Sequence, residues 1–108
     1  LRRPGLGTGV KIEVGRVSLD SWRRVVTVDG TPMVMAGREL ALIEALLMRG
    51  RRVVTRDHLH GTVYGTEVDI ASNALDALVS RLRKRLTDAN AGVEIVAVRG
   101  VGYMLTDA

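Results

Sequence analysis

The chain has 108 residues, a length that suits one domain, and 16 Lys and Arg against 12 Asp and Glu leave it a formal charge of +4. It has no Cys, which excludes disulfides, thiolate metal sites and a Cys nucleophile, and fits a reducing compartment. No run approaches the roughly 18 apolar residues of a membrane span, and the basic start "LRRPGLGTGV" lacks the apolar core of a secretory leader.

Roughly 65% of the unfolded surface can be buried at this size, so a core needs no covalent staples. The positive balance points to an anionic partner, most often nucleic acid. Clustering sharpens this. Arg49, Arg51, Arg52 and Arg56 form one group, and Arg81, Arg83, Lys84 and Arg85 put four cations into five positions. With no Phe, one Trp and two Tyr, stacking platforms for single strands are scarce, which favours a reader of duplex backbone.

Residues 1–10, with their glycines and a proline and no periodicity, read as the end of an interdomain linker. "GLGTG" within them has no strand leading in and no helix leading out, as a phosphate loop requires. From Lys11 to about Met35, "KIEVGRVSLD", "RRVVTVD" and "TPMVMA" carry β-branched residues in short runs, and "DGT" at 29–31 signals a hairpin. A small antiparallel sheet is expected. In "GRELALIEALLMRG" (37–50) the period changes: Leu40, Ile43, Leu46 and Leu47 recur at helical spacing and Gly50 supplies a stop. "RRVVT" is a short strand or bridge. Thr55 can cap a helix through 55–65, with Asp57 in its first turn and Leu59, Val63 and Tyr64 as its apolar edge. Gly61 weakens that helix, so packing has to hold it. "TEVDIA" is a loop. Ser72 is the expected cap of a third helix running to about Leu86, and "VEIVAVR" and "YMLTD" are β-runs joined across "GVG".

The third helix, "SNALDALVSRLRKRL" (72–86), carries the functional argument. At about 100° per residue, Ala71, Leu75, Leu78, Val79, Leu82 and Leu86 form one packing stripe. Opposite lie Asn73, Ala77, Ser80 and Lys84, with Arg81 and Arg83 on the flanks. A major groove admits a helix, small residues permit close approach to base edges, and arginine pairs bidentately with guanine or phosphate. The bland alternative is a solvated basic face that complements the helix dipole. Helix, helix, hairpin is, however, the winged helix-turn-helix order, with the hairpin as wing.

Taken in order, "VTVDGTPMVMAGRELALIEALLMRGRRVVTRDHLHGTVYG", "SNALDALVSRLRKRL" and "IVAVRGVGYML" resemble the OmpR/PhoB-type winged-helix domain, the DNA-binding C-terminal half of two-component response regulators. The likeness covers roughly residues 12–106, and its most specific pieces are "SRLRKRL" and "VRGVGY". It implies an α+β fold: an N-terminal antiparallel sheet, three helices and a C-terminal hairpin wing, spanning 11–108. It further implies that 72–86 enters a major groove of promoter DNA, with Asn73, Ala77, Ser80 and Arg81 facing bases or nearby phosphates and Arg83 and Lys84 gripping the backbone. Tyr64 stands where the family usually has Trp and would touch phosphate, as would Thr55 and Arg56. Arg99 would enter the minor groove, and loop 65–71 matches a segment that contacts RNA polymerase in some relatives. The parent protein would carry a receiver domain, answer to a histidine kinase and act in the cytoplasm on the nucleoid. The isolated domain would be largely monomeric and pair on tandem half-sites.

The chain departs from the family in two places. "MAGREL" replaces the usual "LTPKEF", losing the Pro cap and the aromatic, so the first helix is expected to fray around Gly37. Leu78 replaces a frequent His and removes a possible backbone contact, so base preference is not inherited. His58 and His60, two apart, point about 200° away from each other on a helix and make no metal site. Glu39 and Glu44 read as solvated charges on different faces of one helix. No Ser or Thr sits in a nucleophile elbow, so no catalytic role, metal or cofactor is called for. Two alternatives stay open: the same domain in a one-component or membrane-anchored activator, and a winged helix used for protein–protein contact. The linker-like start and an end just past the wing weigh against the first.

Overall fold

The computed structural model describes residues 11–35, 37–66 and 69–108; the expected linker, residues 1–10, lies outside the described residues. Four short strands come first, β1 (Lys11–Val14), β2 (Val17–Asp20), β3 (Val25–Val28) and β4 (Thr31–Met33), paired antiparallel in sequence order. Alternation sets their buried face: Val17 and Leu19 on β2 and Val26 and Val28 on β3 point into the core, while Ser18 and Thr27 pair on the other face. The β3–β4 turn falls on Asp29–Gly30, as "DGT" predicts, and β4 is shorter than "TPMVMA" suggests.

Helix α1 (Gly37–Met48) buries Leu42, Ile43, Ala45, Leu46 and Leu47. That is a wider apolar face than the predicted stripe, and Leu40 is only partly buried. The width follows from its place, since α1 packs against β1, α2 (Arg56–Tyr64), α3 (Ala74–Asp88) and β7 (Gly102–Asp107). Its two carboxylates are not merely solvated. Glu39 accepts from Arg85 of α3, and Glu44 takes a bidentate bond from Arg24 at 3.0 and 3.3 Å.

The predicted bridge is real: β5 (Val54–Thr55) pairs with β7, which pairs with β6 (Val93–Val98), giving a second, three-stranded sheet in the order β5-β7-β6. Thr55 caps α2 as expected, its hydroxyl accepting from His58 N at 3.1 Å. The start of α3 differs from expectation. Asn73, not Ser72, occupies the cap position, and its side chain makes no capping bond. The turn is closed by backbone instead, with Ala74 N donating to Ala71 O at 3.0 Å. Ala71 therefore precedes the helix and is exposed rather than packed, and α3 runs two residues past Leu86, to Asp88.

Candidate nucleic-acid interface

Helix α3 is strongly two-faced. Leu75, Leu78, Val79, Leu82 and Leu86 are each less than 5% exposed, which seats the helix on the core. Burying five such side chains contributes on the order of 10 kcal/mol of transfer free energy, so its orientation is set by the apolar stripe rather than by its charges. The opposite face, Asn73, Ala77, Ser80, Arg81 and Lys84, stands in solvent. The Asn73 amide, which makes no capping bond, sits at the helix entrance, where it can offer both a donor and an acceptor.

A polar node joins α3 to its neighbours. Asp76, in the first turn of α3, accepts from both terminal nitrogens of Arg56 at the start of α2, at 2.7 and 3.4 Å. The Tyr103 hydroxyl on β7 donates to the same carboxylate. Arg56 holds Asp76 below the usual carboxylate range, with help from the Tyr103 hydroxyl, and the same bond raises Arg56 further. Burial, followed by the hydrogen bond to Asp76 and then its charge, pushes the Tyr103 hydroxyl above its ordinary value of 10.0. The ring of Tyr103 lies between two guanidinium groups, Arg56 at 6.0 Å and Arg83 at 5.9 Å from its centroid. Arg83 also donates from Nε to the Ile95 carbonyl on β6 at 3.0 Å.

The wing is the β6–β7 hairpin, closed by Arg99, Gly100 and Val101, with Val101 N bonded to Val98 O at 2.9 Å. Its two glycines do different things. Gly100 has φ of +78° and makes the turn, in the region that disfavours side chains. Gly102 is buried in the strand, and a Cβ there would stand 1.9 Å from Val54 O. Its role is to let β5 approach β7, so of the "GVG" that joins the two β-runs only the first glycine makes the turn. Arg99 is exposed at the tip, and Tyr103 and Leu105 anchor the hairpin in the core, while Val98 is only partly buried.

The sequence-predicted residues thus divide. Asn73, Ala77, Ser80, Arg81, Lys84 and Arg99 are all exposed, and Arg81 and Arg99 have no ion pair among the described residues. Lys84 lies 3.4 Å from Asp88, a loose surface pair with both side chains mostly in water. The other four have structural occupations: Thr55 caps α2, Arg56 is tied to Asp76, Arg83 reaches Ile95 O, and Tyr64 is buried. Over Tyr64 lie Arg38, 4.9 Å from its centroid, and His60. Arg85, counted in the basic cluster, is turned inward to Glu39 and Val34 O. Helical periodicity alone does not single out Asp76. The available signal was a tyrosine at a core position of the wing, whose buried hydroxyl needs a partner.

A seated helix with a polar, cationic outer face, preceded by a second helix and followed by a hairpin with an arginine tip, defines a winged helix-turn-helix domain. Residues 30–105 match the family described as "Transcriptional regulatory protein, C terminal", and the chain belongs to this family of response-regulator DNA-binding domains. It is 42% identical over 110 residues to the probable transcriptional regulatory protein y4xI of Sinorhizobium fredii, a match covering 100% of this chain and 49% of that protein. Among solved structures it resembles the DNA-binding domain of CpxR from E. coli, at 29% identity and a TM-score of 0.76, covering 92% of this chain and 98% of that one. It also resembles the Klebsiella pneumoniae RstA DNA-binding domain, solved in complex with RstA box, at 26% identity and a TM-score of 0.72, covering 89% and 96%. The chain spans about half the length of the curated relative it matches. No described helix is long and apolar enough to cross a membrane.

Proposed function

We propose that this domain binds double-stranded promoter DNA sequence-specifically, as the effector half of a two-component response regulator. The observation that carries the reading is the division of α3. Its leucine stripe is wholly buried, while Asn73, Ala77, Ser80, Arg81 and Lys84 remain free of the core. Ala77 and Ser80 are small enough for the backbone to come close to base edges. Asn73 and Arg81 supply the directional bonds, and Lys84 meets phosphate as a point charge. Arg99 at the wing tip takes the minor groove. Thr55, Arg56, Tyr64 and Arg83 support this surface, each through the contact described above, and touch phosphate at most secondarily. That the RstA DNA-binding domain was solved in complex with RstA box supports DNA as the partner here.

One domain of this size covers a modest interface, so useful specificity calls for two copies on tandem half-sites about 10 bp apart. In the whole regulator a receiver domain under a cognate kinase would drive that pairing, and residues 1–10 would be the linker to it. The 65–71 segment would face RNA polymerase; Glu67 and Val68 in it lie outside the described residues.

Selection of bound duplexes from a random pool, followed by titration at several salt concentrations, tests the reading. A consensus should emerge, and log affinity should fall linearly with log salt at a slope of about −0.9 per phosphate neutralised. A flat salt response with no enriched sequence would favour the use of this winged helix for protein–protein contact.

A further inference from the structure

Among the arginines expected near DNA, Arg56 stands apart in how firmly it is held. Both of its terminal nitrogens bond Asp76, and its backbone N–H donates to Val101 O in the wing turn at 3.0 Å. The Lys84–Asp88 contact is a single 3.4 Å approach between side chains 77% and 64% exposed, whereas the Arg56–Asp76 pair is 44% and 48% exposed and shares a third partner, Tyr103. A cation so held is poorly placed to release a counterion from DNA. On the helix, Asp76 and Arg83 are seven residues apart and share one flank. Both reach the hairpin from there, Asp76 at the Tyr103 hydroxyl and Arg83 at Ile95 O. The flank that meets the wing thus borders the face carrying Asn73, Ala77 and Ser80.

From this geometry we infer that Asp76 is a positioning residue for specificity, which withholds Arg56 from the phosphate backbone and, through Tyr103, sets the wing against α3. The inference rests on the DNA-binding reading above. Its physical basis is that phosphate contacts add affinity to every sequence alike, while base contacts add it only to the right one. Withholding one arginine lowers binding to correct and random sites by the same factor and so leaves their ratio to the base contacts, whose geometry the second bond of Asp76 sets. The bond to Tyr103 keeps the wing at one angle to the recognition helix, so that Arg99 and Arg81 reach their grooves in one register.

The test compares wild type, Asp76→Asn, and Asp76→Asn combined with Arg56→Gln. Each is titrated against the duplex selected from the random pool and against a scrambled duplex of equal length. With Asp76→Asn, Arg56 is released: scrambled-DNA affinity should rise several-fold and the salt slope should steepen by about one unit. Adding Arg56→Gln should return the slope to the wild-type value. A slope that Asp76→Asn leaves unchanged, while wild type binds its site, overturns the inference and leaves the DNA-binding reading standing. Wild type that binds neither duplex defeats that reading itself. A wild-type measurement guards against a variant that does not fold. The Arg56 Nε–H resonance should stay in place when the selected duplex is added while that of Arg81 moves, and a shift of Arg56 comparable to that of Arg81 sinks the proposal.

Discussion

At the scale of single residues, the proposed DNA contact gives two cations of α3 separable expectations. Arg81 is exposed, unpaired among the described residues and on the flank of the exposed polar surface of α3. Arg81→Ala should cost about 1–3 kcal/mol on the selected site and much less on scrambled DNA, as measured by equilibrium titration. Equal losses on both would make Arg81 a backbone contact. Lys84→Ala should instead weaken both duplexes alike and reduce the salt slope by about one, its loose pair with Asp88 offering little competition. Asp76 has a signature in pH. Its folded carboxyl lies below the ordinary 3.8, so the native state favours the ionised form. The stabilisation is complete above that ordinary value and is lost as pH falls through the lower, folded one. Chemical denaturation across pH 5 to 2 should therefore show stability falling towards acid, with a shallower fall in Asp76→Asn. The pair is nearly half exposed, so the difference should be modest and shrink with salt.

At the scale of elements, the wing depends on a strand contact as much as on its turn. Gly100 has a positive φ with nothing near its missing side chain, so Gly100→Ala meets only the backbone cost, about 1–2 kcal/mol. Gly102→Ala must place a methyl 1.9 Å from Val54 O and under 3 Å from Thr55 Cα, which requires β5 and β7 to part. It should be the more damaging of the two in thermal unfolding, and it should loosen the start of α2 as well, because Thr55 is both the last residue of β5 and the cap of α2. Similar losses in both variants would show that the turn alone matters. The first helix tells against a purely local view. Its start lost the family's proline and aromatic, and fraying was expected at Gly37, whose φ of +59° is not helical. From Arg38 onward the element is nonetheless helical, because a broad leucine-rich face is enclosed by α2, α3 and both sheets.

At the scale of the whole molecule, the two sheets clasp the helices from either end of the chain, and β1 and β7 both border α1. One copy presents one recognition helix and one wing tip, so affinity should depend on pairing across half-sites. Sliding one half-site of a selected tandem duplex by five base pairs, about half a turn, should cost more affinity than sliding it by a full turn. Equal affinity at every spacing would mean that the two domains bind independently.

Much of this was legible in the residues. Alternating valines identified the first sheet, "DG" its last turn, Thr55 the cap of α2, and the leucine spacing of 75–86 the buried face of α3, because these depend on local periodicity and turn chemistry. Ser72 and Asn73 are near-equal cap candidates by residue type, and local chemistry does not select between them because the backbone, not a side chain, closes that turn. By itself, the sequence determined the order of elements, the family, and which face of α3 could be spared from the core. Only the tertiary structure decided which of the many arginines were spared. Arg24, Arg51, Arg56, Arg83 and Arg85 each found a carboxylate or carbonyl distant in sequence. A cation's partner is chosen by proximity in space, and nothing in its local spacing encodes that choice.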